Sequence, residues 1–133
     1  KLPEILIILP ATSPLRLIQD IKKCIKKFKS RKSDILLTAT TANRNPYYNM
    51  VEKKKNQFYG VVNSGKKTLH RRQQAKKVFD LCTLAYVTTP NYILKNKNIF
   101  SGKVDILEIP KERSIDIDDI YDFDIAKYLF KKK

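Results

Sequence analysis

Glu4–Thr41, EILIILPATSPLRLIQDIKKCIKKFKSRKSDILLTATT, is the stretch that decides the fold. Its opening, Glu4–Leu9, is a continuous apolar run of strand length stopped by Pro10, the pattern of a strand covered on both sheet faces. It reads as a central parallel strand. Pro10–Arg16 follows as a loop, because each proline fixes its own φ and pushes the residue before it out of the helical region. From Leu17 to Lys29 the residues Ile18, Ile21, Ile25 and Phe28 recur at helical spacing, with Lys22, Lys23, Lys26 and Lys27 on the remaining arc. Ser30–Asp34 breaks this helix, and the β-branched Ile35–Thr41 is the next strand. Strand, helix and strand in that order predict a crossover and an α/β fold. Open α/β sheets bind ligands beyond the carboxyl ends of their strands, which is where Pro10–Arg16 lies.

Downstream, Thr83–Thr88 and Val104–Ile109 read as strands, and Pro90–Lys95 as a short helix with proline in its first turn. A terminal helix starts at Asp118 or Asp119. Ile120, Phe123, Ala126 and Phe130 form one stripe on it and Tyr121, Ile125 and Tyr128 another, so packing on two sides is expected. Ala42–Lys77 differs: it is polar, basic and aromatic, with only a short possible strand at Gln57–Val62. Such a segment in a small domain is a functional excursion or a subunit-contact arm.

A chain of 133 residues with 42% hydrophobic content supports one domain with a core and argues against disorder. Its formal charge of +15 attracts anions such as nucleotides, acidic sugars or nucleic acid. The lysines are scattered along the chain, however, which favours a solvated face over a nucleic-acid reading surface. No apolar run approaches the ~18 residues of a membrane span, and a soluble, cytoplasmic protein is expected. Cys24 and Cys82 have neither metal-ligand spacing nor disulfide density, and read as reduced thiols. Lys1 leads almost at once into a strand, so the chain is expected to be the latter part of a longer protein.

The candidate chemistry centres on Lys111–Ala126, KERSIDIDDIYDFDIA, where apolar and acidic residues alternate. In an extended segment Asp116 and Asp118 share one face and Ile115 and Ile117 the other. Paired carboxylates in a basic protein suit a divalent cation held against a polyphosphate. Capping of the following helix by Asp118 or Asp119 explains the acids equally well, and the two readings stand level. Thr12 and Ser13, in the loop after the first strand, could meet a nucleotide, although Ser13 could also cap the next helix. Arg71-Arg72-Gln73 could clamp a carboxylate or phosphate, or form a plain basic surface turn. His70 is the only histidine, so neither a histidine zinc cluster nor alternative Ser–His–Asp sets can be assembled. No GxGxxG or P-loop pattern occurs. Tyr47, Tyr48 and Phe58 could stack on bases, but core or subunit-interface roles fit them better.

Taken in order, LPATSPLR (Leu9–Arg16), NPYYNMVE (Asn45–Glu52), RRQ (Arg71–Gln73), VFDL-x-TLAYV (Val78–Val87) and KERSIDIDDIYDFDIA resemble the acylneuraminate cytidylyltransferases, the CMP-sialic acid synthetases. The resemblance implies transfer of CMP from CTP to an acidic nine-carbon sugar, a sialic-acid-like 2-keto acid, with Mg²⁺ and release of pyrophosphate. It implies a nucleotide-diphospho-sugar transferase fold, a Rossmann-like three-layer α/β sheet, and a homodimer whose arm, residues 42–77, reaches into the partner's site. By motif, Asp116 and Asp118 would be the catalytic metal ligands, Arg72 and Gln73 would meet the partner's sugar acid, and Thr12 and Ser13 would lie beside nucleotide and sugar.

Two departures accompany the match. The family's glycine-rich, basic triphosphate loop is absent, so residues 1–133 are expected to be the C-terminal part of one cytidylyltransferase domain, inactive alone. Pro10-Ala11 also stands where many members carry Gln-Pro, which removes an amide contact to the sugar. The alternatives are a basic nucleic-acid-binding module and a dimerising remnant without chemistry. Neither a membrane nor nucleic acid is the expected partner.

Overall fold

The computed structural model describes residues 1–55, 58–62, 73 and 75–132. It divides into two compact units, residues 1–40 with 81–133 and residues 41–80. The first unit is organised on a four-stranded sheet of order β1-β5-β2-β6, built from β1 (Leu6–Ile8), β2 (Ile35–Thr41), β5 (Phe79–Thr88) and β6 (Val104–Glu108). Helices α1 (Ile18–Arg31), α2 (Pro90–Lys95) and α3 (Ile120–Lys131) complete it.

The apolar run of β2 has a direct structural reason. Alternate side chains leave a strand on opposite faces, and here both faces are covered. Leu36 packs with Cys24 and Phe28 of α1 and with Ala85 and Val87 of β5. Ile35 and Leu37 pack instead with Tyr92 of α2, bordered by Tyr86, Val104 and Ile106. Helices therefore lie against the two faces of one sheet, in three layers.

β2 runs parallel to β6, from Ile35 opposite Val104 to Ala39 opposite Glu108. Thr88 Oγ1 donates to the Asp34 carbonyl at the start of β2, while Thr38 further along meets Cys82 and Ala85. β5 thus runs against β2, and the sheet is mixed. Thr38 is fully buried, and its hydroxyl donates to the Cys82 carbonyl at 2.8 Å and accepts the Ala85 N–H at 3.1 Å.

Two expectations about packing are corrected. Glu4–Leu9 is not a central parallel strand. Its ordered part, β1, lies at the sheet edge and pairs antiparallel with β5, from Leu6 opposite Thr88 to Ile8 opposite Tyr86. β1 and β2 do run the same way, as a crossover requires, but β5 lies between them. Nor is β1 covered on both faces: Leu6 and Ile7 are half-buried, and Ile8 and Leu9 are exposed, because an edge strand lacks a neighbour on one side. The terminal helix does not pack on two sides either. In α3 only Ala126 is buried, while Ile120, Tyr121, Phe123, Ile125, Tyr128 and Phe130 are exposed.

α1 also turns differently from its isoleucine stripe. Ile18 is 72% exposed, and the buried line is Asp20, Cys24 and Phe28. Burial pushes the Cys24 thiol up to about 11, so it stays protonated, and both cysteines are free. Lys27 and Arg31 reach across from the helix to Asp105 of β6 at 3.4 and 3.5 Å. No helix among the described residues is long and apolar enough to cross a membrane.

In the second unit β3 (Val51–Lys53) pairs antiparallel with β4 (Tyr59–Val61), from Val51 opposite Val61 to Lys53 opposite Tyr59. The predicted strand began at Gln57, which lies outside the described residues. Asn45 organises the turn before β3: its side-chain oxygen accepts the Tyr47 N–H at 2.9 Å and its amide donates to the Lys76 carbonyl at 3.0 Å.

Replacing Thr38 by valine keeps its shape and strands buried backbone groups of β5. Thr38→Val should lower stability by about 1–3 kcal/mol, and Thr38→Ser, which keeps the hydroxyl, by much less. Urea denaturation of the two variants beside the wild type checks this; equal losses would make the hydroxyl irrelevant.

Candidate active site

Beyond the carboxyl end of β1 the chain forms the loop Pro10–Arg16, and three hydrogen bonds, one internal and two to distant residues, fix its course. The Arg16 guanidinium turns back to donate to the Pro10 carbonyl. The Ser13 hydroxyl bonds that of Thr83 at 2.7 Å. The Thr12 carbonyl accepts the Ile117 N–H at 2.9 Å. That last bond brings two separated motifs to one place, since Ile117 lies between Asp116 and Asp118.

The acidic segment itself is not part of a ladder. A 3-10 turn at Lys111–Arg113 precedes it, Ser114–Ile117 is irregular, and Asp118-Asp119 bends into α3. The cap of α3 is Asp119. Its carboxylate accepts the N–H groups of Tyr121 and Asp122 at 2.8 and 3.0 Å, and Asp122 Oδ2 accepts in return from the N–H groups of Asp119 and Asp118. The helix terminus is satisfied without the side chains of Asp116 and Asp118, so capping does not explain them. Asp116 is half-buried, and its Oδ1 is enclosed with no hydrogen-bond partner among the described residues. Asp118 is exposed. Tyr86 has its hydroxyl pKa raised by burial and then by the charge of Asp116.

The other candidates are distributed unevenly. Thr12 is exposed on the loop, whereas Ser13 is 1% exposed and turned inward to Thr83. Gln73 is exposed in the second unit, and Arg72, like Arg71 and His70, lies outside the described residues. Among the described residues no group of three or more His, Cys, Asp or Glu side chains gathers as a metal cluster.

Sequence reasoning missed a pair. Asp20, in the first turn of α1, is 2% exposed. Arg113 meets its carboxylate with two parallel hydrogen bonds, Nε to Oδ2 at 2.9 Å and Nη2 to Oδ1 at 2.8 Å. Asp20 Oδ2 also accepts the Leu17 N–H at 3.1 Å, one half of a capping box. Burial alone would raise the Asp20 pKa. The Arg113 and Leu17 hydrogen bonds, with the charges of Arg113 and Lys23, outweigh it and hold the carboxyl below its ordinary value. The available signal was an acid at the third position of a lysine-rich helix, four residues before the buried Cys24.

No family profile matches the chain. Individual proteins do. The flagellin modification protein B of Campylobacter coli is 32% identical over 130 residues, which cover 98% of this chain and 54% of that protein. The CMP-N,N'-diacetyllegionaminic acid synthase of Campylobacter jejuni is 35% identical over 98 residues, 74% of this chain and 40% of the synthase. By sequence the chain is similar to proteins of the cytidylyltransferase family. It spans about half the length, or less, of these relatives. The 4-diphosphocytidyl-2C-methyl-D-erythritol synthase of Anaerococcus prevotii superposes with a TM-score of 0.61 over 96% of this chain and 59% of that one. At 13% identity the likeness establishes the fold alone, a mixed, Rossmann-like α/β sheet.

The depressed Asp20 pKa fixes the sign of a pH effect. A carboxyl whose folded pKa is lowered stabilises the fold above its ordinary 3.8 and loses that contribution as pH falls through the folded value. Asp20→Asn should cost about 3 kcal/mol at neutral pH by leaving Arg113 unpaired, and the gap to wild type should close as pH drops below 3.8. Urea denaturation between pH 7 and pH 2.5 measures both; a gap independent of pH would show that the ion pair contributes nothing.

Proposed function

We propose that the full-length protein containing this chain is a cytidylyltransferase that moves CMP from CTP to a sialic-acid-like 2-keto sugar acid and releases pyrophosphate. The observation that carries the reading is the Ile117–Thr12 hydrogen bond of 2.9 Å, which ties Asp116 and Asp118 to the loop beyond β1. The C. jejuni relative is by name the synthase of a CMP-linked sugar acid, and this supports the nucleotide and the substrate class. In the reaction the anomeric hydroxyl oxygen attacks the α-phosphorus of CTP. One P–O bond forms as the α–β bridge breaks, and the hydroxyl proton is lost to solvent or a nearby base.

Asp116 and Asp118 fit a Mg²⁺ site. An enclosed carboxylate oxygen without a partner suits a hard cation, which uses one or two carboxylates and leaves its other positions to water and phosphate oxygens. When bound, the cation neutralises phosphate charge and stabilises the leaving pyrophosphate. The protein's own contribution is positioning. Thr12 offers an exposed hydroxyl to nucleotide or sugar, and Ser13, by its inward bond to Thr83, sets the loop that presents it. Gln73, with Arg72, is assigned to the sugar acid of a partner subunit in a homodimer. The net charge of +15 draws both anionic substrates toward the surface. Because the chain spans about half of its relatives, activity is assigned to the full-length protein, and residues 1–133 alone are expected to be inactive.

Asp118→Asn in the full-length protein should reduce CMP-sugar formation at least about 100-fold at fixed Mg²⁺, because several kcal/mol of charge stabilisation is removed. Asp119→Ala should instead cost about 1 kcal/mol of stability as a lost cap and leave the magnesium dependence alone. Product formation across a magnesium titration separates the two acids. Unchanged turnover and unchanged metal dependence in Asp118→Asn would overturn the assignment.

A further inference from the structure

The segment that carries Asp116 is fixed at two points, and both anchors belong to the stretch Thr12–Asp20. On one side of Asp116 the Ile117 N–H bonds the Thr12 carbonyl at 2.9 Å. On the other, Arg113 grips the carboxylate of Asp20 with bonds of 2.9 and 2.8 Å. Only Ser114, Ile115 and Asp116 lie between the pins. Ser114 closes the preceding 3-10 turn by donating both its N–H and its hydroxyl to the Lys111 carbonyl. The backbone around Asp116 therefore has little freedom beyond what Arg113 and Ile117 allow.

The guanidinium fork has a geometry that an ordinary surface ion pair lacks. Its two parallel bonds fix orientation as well as distance, and the carboxylate is itself held by the Leu17 N–H at the start of α1. Asp20 is 2% and Arg113 17% exposed, so water competes little for either. Glu112, the other acid near Arg113, is 3.9 Å away and largely exposed, and it does not substitute for Asp20.

We propose that the Asp20–Arg113 pair is a positioning device for the site: it registers the Asp116–Asp118 segment against the Pro10–Arg16 loop, and the affinity of the acids for a divalent cation depends on it. The inference rests on the reading of Asp116 and Asp118 as cation ligands. Neither Asp20 nor Arg113 touches the substrates; they act through the backbone that carries the ligands. Partners of this kind, one step removed from a metal, change its affinity by about 10–100-fold when altered.

The test uses the full-length protein with Arg113→Lys, which keeps the charge and loses the fork, and Asp20→Asn, which keeps an acceptor for Leu17 and loses the charge. Three quantities are read: the Mn²⁺ dissociation constant in the presence of CTP by electron paramagnetic resonance, the magnesium midpoint of CMP-sugar formation, and the thermal midpoint. Both cation midpoints should rise about tenfold in each variant, and excess magnesium should restore most of the turnover. A purely structural pair would lower the thermal midpoint and leave the Mn²⁺ constant at its wild-type value; that result overturns the proposal. Should Asp20→Asn not fold, Arg113→Lys decides by the same criterion. Asp118→Asn run in parallel separates the two failures. If it leaves Mn²⁺ binding unchanged, the ligand assignment is wrong and the positioning role falls with it. If it abolishes binding while Arg113→Lys does not weaken it, only the positioning role is wrong.

Discussion

A carboxylate buried in the first turn of a helix is the constraint around which the first unit is arranged. Asp20 cannot remain ionised at 2% exposure without compensation, and the compensation comes from Arg113, 93 residues away in sequence. Removing one member of such a pair typically costs about 3–5 kcal/mol, a large part of a domain's margin of stability. The fold must therefore bring the end of β6, the turn after it and the start of α1 to one place. Through the bond from Ile117 to Thr12 this convergence also sets where the acidic segment meets the loop beyond β1.

The fold was legible wherever local sequence and burial agree. Ile35–Thr41 and Pro90–Lys95 are observed with the limits read from their residues, because a β-branched run and a proline-led turn are local signals. Lines of burial were harder to place. The isoleucines of α1 suggested a stripe through Ile18, but a charged residue, Asp20, continues the buried line from Phe28 and Cys24. Its partner lies far off in the sequence, and periodicity carries no information about it. The same limit applies to β1. Its composition suggested a strand covered on both faces, whereas its edge position and its neighbour, the antiparallel β5, depend on the path of the whole chain.

At the site, alternation drew attention to Asp116 and Asp118 through a geometry that the segment does not have. Ser114–Ile117 is irregular, and no ladder puts the two acids on one sheet face. What distinguishes them is the assignment of the helix cap. Asp119 and Asp122 satisfy the amino terminus of α3 between them, leaving the side chains of Asp116 and Asp118 unclaimed by it. From sequence alone Asp118 and Asp119 were interchangeable as caps, since the choice turns on a one-residue difference in where the helix begins. The loop motif was legible as a loop, because two prolines bracket it. The inward turn of Ser13 was not, because its partner Thr83 is supplied by a distant strand.

Charge completes the physical picture. With 28 Lys and Arg against 13 Asp and Glu, cations outnumber acids about two to one in this chain. The acids around α3 divide by role: Asp119 and Asp122 hold backbone N–H groups, while Asp116 carries an enclosed oxygen with no protein partner among the described residues. An enclosed, unpaired carboxylate oxygen is costly in a protein that has so many cations available to satisfy it. Keeping it unpaired requires that neighbouring lysines and arginines be held elsewhere. The arginine within each of the two motifs is engaged by another acceptor, Arg16 by the Pro10 carbonyl and Arg113 by the Asp20 carboxylate, so neither pairs with Asp116 Oδ1.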